Sequence, residues 1–320
     1  MNKQVVPPQT PSSPTASVVA PAYMSSATGV VLAIVGSTTF SGKAIIVKLG
    51  YRYGVDAITI LMLRMLFALP LFIVMAWWAG RGRPALTSRD WLGVFGLGFT
   101  GFYLASALDF FGLVYITASL ERLILCIQPT LVLLFGWLLF QRPVRRGQIL
   151  GIAVSYAGVL VVFGQEALAG HNRAVVWGTL LVLMSTVSYA TYLLLSADFV
   201  KRLGSARLVG LATSVACVLS IVQYLALRPV SDVLIVAPQV IWLSMLNAFL
   251  CTVVPVLAVM MAIERIGPAM ASQIGMIGPI FTILLGVIIL AEPFTGLIAA
   301  GAVLVVAGIL LFTRAGLRQS

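Results

Sequence analysis

The sequence predicts an all-α membrane protein of ten transmembrane helices, arranged as two inverted repeats of five. Three observations carry that prediction. The 320 residues are 61% hydrophobic and only 9% charged, where a soluble domain carries about a quarter of its residues charged. The apolar residues fall into about ten runs, each near the roughly 20 residues that a helix needs to cross a bilayer core. Helix-breaking residues also recur at a spacing of 150: Pro129 with Pro279, Gly136 with Gly286, Pro143 with Pro293, Gly151 with Gly301 and Gly158 with Gly308. Apolar matches come cheaply in such a chain, so the registered Pro and Gly positions carry the weight. An odd number of spans per copy turns the second copy upside down relative to the first.

Residues 1–24 are rich in Pro, Ser and Thr, with Lys3 their one charge. They read as a disordered cytoplasmic tail, since the basic, apolar and small-residue order of a signal peptide is missing. The first repeat, 25–166, holds spans at 27–48, 57–79, 91–113, 118–140 and 147–165. The second, 174–314, holds spans at 174–197, 206–227, 240–262, 268–290 and 295–313, and residues 315–320 form a short cytoplasmic tail. Basic residues sit in the short loops between these runs, which argues against nucleic acid as the partner of the +11 net charge. With the N-terminus inside, thirteen of the twenty Lys and Arg fall on the cytoplasmic side, among them Arg81, Arg83, Arg89, Arg142, Arg145, Arg146, Lys201 and Arg202. Five fall outside: Lys48, Arg52, Arg122, Arg173 and Arg228. That imbalance places both termini in the cytoplasm.

A site between inverted repeats belongs near mid-membrane, beside helices whose hydrogen bonding is interrupted. Pro129 and Pro279, the latter after Gly278, each lack an N–H and free the carbonyl four residues earlier, at Leu125 and Gly275. Such carbonyls are tolerated at this depth only against protein or a wet cavity. Ser37, Thr38, Phe40, Tyr103, Gln128, Ser188, Tyr189, Tyr192, Asn247, Thr252 and Gln273 are the candidate lining. The amides are the sharper candidates, since a lone Ser or Thr is most simply bonded back to its own helix.

Five ionisable residues, Lys43, Arg64, Asp109, Glu121 and Arg122, fall at one level in the outer third of the membrane. Isolated charges there cost several kcal/mol each, so an ion-paired layer is expected, acting as a gate or coupling site with protons as the candidate coupling ion. One positive charge is left over, which favours a substrate carrying a carboxylate. The matching positions of the second half, Val259, Ala271 and Ser272, are uncharged. His171, the only histidine, falls in an outer loop. Cys126, Cys217 and Cys251 are read as buried free thiols, and no metal site or other cofactor is implied.

The residues that mark the second half also carry a family resemblance. The Gly278-Pro279 break, the corner Ala291-Glu292-Pro293, the closing run from Gly301 to Ala307-Gly308, Leu63-Arg64-Met65 in span 2 and Gly36-Ser37-Thr38-Thr39-Phe40 in span 1 resemble the EamA family of the drug/metabolite transporter superfamily. The resemblance covers nearly the whole chain after the tail. It implies a ten-helix inverted-repeat carrier that exports small metabolites, such as amino acids or related compounds, from the bacterial inner membrane. Arg142 departs from the pattern, because it stands where the acidic corner residue Glu292 has its counterpart.

No nucleotide-binding loop of the Walker type is present, so a proton or substrate gradient is left as the driver. A passive channel or lipid scramblase is the alternative within the membrane class. An intramembrane enzyme would need a His/Asp, Ser/Lys or metal constellation that these residues do not offer.

Overall fold

The computed structural model describes residues 26–140, 146–168, 172–275 and 277–317. The N-terminal tail, the Arg142-Pro143 corner and His171 lie outside them. Among the described residues every regular element is helical. The first half runs α1 (Ser26–Ser41), α2 (Lys43–Tyr51), α3 (Ala57–Gly80), α4 (Ser88–Gly98), α5 (Ala105–Leu113), α6 (Ala118–Leu125), α7 (Gln128–Phe140) and α8 (Arg146–Glu166). The second runs α9 (Asn172–Leu203), α10 (Ser205–Leu227), the short α11 (Ser231–Leu234), α12 (Pro238–Ala248), α13 (Val254–Gly275), α14 (Gly278–Leu290) and α15 (Gly296–Leu317).

Eight helical runs among the described residues are long and apolar enough to cross a bilayer, the first Ala27–Tyr51 and the last Pro238–Ile263. Gly278–Leu290 and Gly296–Phe312 are shorter apolar helices, where ten spans of similar length are expected from the sequence. The outward faces are themselves apolar: Leu138, Leu160, Ile288 and Val303 are all exposed, as a lipid-facing surface requires. Trp77, Trp78, Trp91, Trp137, Trp177 and Trp242 are also exposed. Each lies within about two turns of a helix end, the level at which tryptophans gather in membrane proteins.

Glycines set the closest helix contacts. A Cβ on Gly158 would stand 2.6 Å from the Gly301 carbonyl oxygen, and one on Gly151 would stand 2.7 Å from that of Gly308. α8 and α15 therefore pack backbone to backbone and run antiparallel, the close approach that small residues permit between membrane helices. α3 and α10 also pack antiparallel, with Gly210 against Ala76 and Cys217 Sγ 3.6 Å from Met65 Sδ. α1 lies on α13, with Gly29 at Ile266 and Gly36 at Val259. The same contact recurs where α9 lies on the end of α5, with Gly178 at Ile116.

α13 cannot be straight. Gly36 and Ser37 are neighbours on α1, yet one meets Val259 and the other donates a hydrogen bond to the Gly275 carbonyl at 2.9 Å. Sixteen residues of straight helix would separate those partners by about 24 Å. The run thus doubles back between them, over the stretch that contains Gly267-Pro268.

The interruptions are paired as well. α6 gives way to α7 at Cys126-Ile127, and α14 restarts at Gly278. Pro129 and Pro279 are each the second residue of the restarting helix, where a missing N–H costs little. Two π-helical turns, Phe99–Leu104 between α4 and α5 and Phe249–Val253 between α12 and α13, also stand 150 residues apart.

Ion pairs mark the two ends of the bundle. At one end Asp56 meets Arg228 at 3.1 Å. Burial pushes the Asp56 carboxyl up, but hydrogen bonds from Thr59 and Arg228 outweigh it and hold the group below the ordinary carboxylate range. At the other end Asp90 closes a capping box with Thr87 and pairs with Arg202 at 2.5 Å.

Candidate functional site

Midway along the bundle lies a cavity of about 410 Å3. Its walls come from both halves in matched pairs: Phe102 with Thr252, Ser106 with Val256, Leu125 with Gly275 and Pro129 with Pro279 line it together, each pair separated by 150 residues. A second offset, 149, relates Phe40 to Tyr189 and Arg64 to Thr213, which line it too. The broken helices and π turns thus deliver residues 149 or 150 positions apart, from the two halves of the chain, to one space.

The charged residues gather at the side of the cavity nearer Asp56. Lys43 Nζ lies 2.5 Å from Asp109 Oδ2 and 3.0 Å from Glu121 Oε1. All three are buried. Lys43, Asp109, Arg64 and Arg122 reach the cavity wall, with Glu121 behind Lys43. The expected layer therefore forms, but with unequal pairing. Lys43 takes both carboxylates, and neither arginine has an ion-pair partner among the described residues. Arg64 Nε donates to Thr252 Oγ1 at 2.9 Å, and its guanidinium lies 5.2 Å from the Phe110 ring centre. Arg122 lies 5.1 Å from the Phe40 ring centre. Arg64 Nη1 and Arg122 Nε are buried without a hydrogen-bond partner.

Opposite this layer is an aromatic cluster. Phe102 packs edge-on against Tyr192 at 5.0 Å between centroids, and Tyr189 lies 5.5 Å from Tyr192. Tyr192 stands 149 residues after Lys43, the same offset that separates Phe40 from Tyr189 and Arg64 from Thr213.

Of the residues expected at the cavity, Phe40, Gln128, Tyr189, Thr252, Pro129 and Pro279 line it. Ser37 sits beside it, satisfying the Gly275 carbonyl released by Pro279. Gly278 is buried where a Cβ would collide with the Arg122 guanidinium. Several expected residues lie elsewhere. Thr38 returns its hydroxyl to the Ile34 carbonyl at 2.8 Å, the back-bonded arrangement that competes with any ligand contact. Tyr103 packs against the exposed Phe99 at 5.5 Å. The π turn adds a residue and turns the helix phase by about 100°, so Gly101 and Phe102 face inward in its place. Tyr192 and Ser188 stand behind the wall, Ser188 donating to the Thr100 carbonyl at 2.7 Å. Asn247 is fully buried, with Nδ2 3.4 Å from the Lys43 carbonyl, and so steadies the segment that holds Lys43. The Gln273 side chain lies outside the described residues. Phe72, Phe102, Thr186 and Thr213 were missed. For Thr186 and Thr213 the second offset of 149, which matches them to Ser37 and Arg64, was the available signal.

Glu292 does more than end a helix. Its carboxylate accepts from the Ala118 N–H at 2.8 Å, the Ser119 N–H at 3.3 Å and the Ser119 hydroxyl at 2.9 Å. A corner of the second half thus caps the N-terminus of α6 in the first, where a negative charge is favoured. Glu166, at the end of α8, accepts from the Thr117 N–H and hydroxyl beside it. Both carboxylates anchor the helix that carries Glu121 and Arg122.

Comparison with known proteins places this geometry in context. A family model described as the EamA-like transporter family matches twice, over residues 27–164 and 176–314. The uncharacterized transporter YcbK of Bacillus subtilis (strain 168) is 30% identical over 275 residues, 83% of this chain and 86% of its own. An uncharacterized transporter of Archaeoglobus fulgidus is 21% identical over 91% of this chain and 98% of its own. A solved crystal structure superposes with a TM-score of 0.63 over 92% of this chain and 99% of its own at 16% identity, a likeness of fold alone.

Proposed function

The chain belongs to the EamA-like transporter family, and we propose that this membrane transporter is a secondary carrier built from two inverted five-helix halves, 25–166 and 174–314. It exports small metabolites, amino acids or related compounds, across the bacterial inner membrane by alternating access. A proton or substrate gradient drives it, and both termini lie in the cytoplasm.

The observation that carries this reading is the mid-bundle cavity walled by repeat-related residues, above all Pro129 and Pro279. Antiparallel packing of α8 on its counterpart α15 supports inversion, because equivalent helices can run antiparallel only if the second copy is reversed. The Gly29–Ile266 contact and its echo at Gly178–Ile116 support the same relation. A small polar molecule bound between the halves would be exposed to one side and then the other as they rock.

The buried set of Lys43, Asp109 and Glu121 closes the cavity toward Asp56, and we read it as the gate that parts on that side. Counterflow in proteoliposomes against a metabolite panel tests the carrier reading. Saturable counter-exchange is expected, and unsaturable conductance would instead indicate a channel. Asp109→Asn and Glu121→Gln, compared at equal expression, should slow exchange at least several-fold. Rates equal to the parent's would remove the gate.

A further inference from the structure

We infer that the cavity takes an organic monoanion, a carboxylate on an apolar and preferably aromatic body, with the carboxylate held by Arg64 and Arg122. The inference rests on the carrier reading of this cavity and narrows its cargo from small metabolites in general to monoanions, away from zwitterionic amino acids. Lys43 is already occupied, bridging Asp109 at 2.5 Å and Glu121 at 3.0 Å. The two arginines reach the same space with no carboxylate of their own among the described residues. Arg64 is only 6% exposed, and both its Nη1 and the Arg122 Nε are buried donors without an acceptor. A buried N–H of a charged group left unmet is costly, and guanidinium forks suit carboxylates in geometry as well as charge. A bound carboxylate supplies the missing acceptors.

Charge balance selects the rest of the molecule. Counted by formal charge, Lys43, Arg64 and Arg122 against Asp109 and Glu121 leave one positive charge in the layer. Carrying an uncompensated charge through a closed, water-poor intermediate is unfavourable. A monoanion brings the loaded cavity to neutrality, a zwitterion leaves it at one positive charge, and a dianion overshoots. Asp109 Oδ1 is a buried acceptor without a partner and could meet an ammonium group, so the zwitterion is the competing ligand. The rest of the wall is mainly apolar: Phe40, Phe72, Phe102 and Tyr189 surround the space, with hydroxyls such as Thr186 and Thr213 between them. They receive an apolar body rather than a hydrated one.

The purified full-length protein in detergent tests this by ligand-dependent shifts in melting temperature. The probes are phenylacetate, its neutral isostere phenylacetamide, the zwitterion phenylalanine and the dianion phenylsuccinate. Saturable stabilisation by phenylacetate is expected, at least about tenfold tighter than by the other three. Arg64→Gln and Arg122→Gln should each weaken phenylacetate about ten- to hundredfold, with partial recovery in Arg64→Lys, which keeps the charge if Arg64→Gln fails to fold. Phenylacetamide or phenylalanine binding as tightly as phenylacetate would overturn the inference, as would well-folded arginine variants that bind it like the parent. The outcomes stay separate from the transport reading. Exchange of zwitterions without carboxylate binding keeps the carrier and sinks this inference, whereas arginine-dependent carboxylate binding without flux does the reverse.

Discussion

Glu292 shows what one side chain contributes when the chain is folded around it. Three donors from α6 converge on its carboxylate, two of them backbone N–H groups that begin a helix and have no partner within it. Glu292→Gln keeps the size but removes the charge, and its amide nitrogen cannot accept. Thermal unfolding in detergent should show a loss of about 1–2 kcal/mol, in the range of a helix cap or a charged hydrogen bond. Ser119→Ala should cost much less in the Glu292→Gln background than in the parent, because both changes remove one shared interaction. Strict additivity would mean that the two groups are independent. Nothing local in the sequence announces this contact, since the partners lie 174 and 173 residues apart. The pairing of Arg64 with Thr252 was hidden in the same way.

At the scale of single helices, most of the pattern was legible. Pro129, Pro279 and the glycine register locate the breaks and the tight α8–α15 contact, because Pro and Gly act through covalent geometry that no tertiary context removes. The π turns were not legible. Phe99–Leu104 and Phe249–Val253 contain no proline, and the extra residue in each turn is decided by packing. That is why the sequence pattern points to Tyr103 for the inward face of span 3, whereas Phe102 lines the cavity. The α8–α15 contact makes a sharp prediction. Gly158→Leu puts a side chain where the Gly301 carbonyl oxygen lies 2.6 Å from the first added carbon, and overpacking of this kind costs about 1–3 kcal/mol or more. Gly164→Ala, on the same helix with nothing within 4 Å of its added carbon, should be neutral or slightly stabilising. Measured melting temperatures that do not separate the two would contradict the backbone-to-backbone packing.

For the molecule as a whole, length, apolar composition and loop charge pointed to a polytopic membrane protein, and family membership agrees. Helix counting alone puts the five charged residues at one level; in the fold Lys43, Asp109 and Glu121 are in contact, while Arg64 and Arg122 reach the same cavity without an ion pair among the described residues. Their pairing was not foreseeable, because it depends on side-chain reach across four helices. Orientation belongs to this scale. Reporter fusions active only in the cytoplasm should score positive at both termini, and negative when inserted after Pro229 in the segment between α10 and α12. Opposite signals from the two termini would rule out the proposed even number of crossings.

The one-sided charge layer also bears on rest. In a carrier of the proposed kind, the same side chains at both ends of the cavity would leave the empty protein no energetic reason to open one way rather than the other. An amine bridging two carboxylates at one end, against three aromatic rings at the other, would make the two open forms of such a carrier unequal in free energy. A difference of about 1.4 kcal/mol already yields a tenfold excess of one of them. Unoccupied molecules would wait with the aromatic end parted, and a cargo that unsettles Lys43 would shorten that wait.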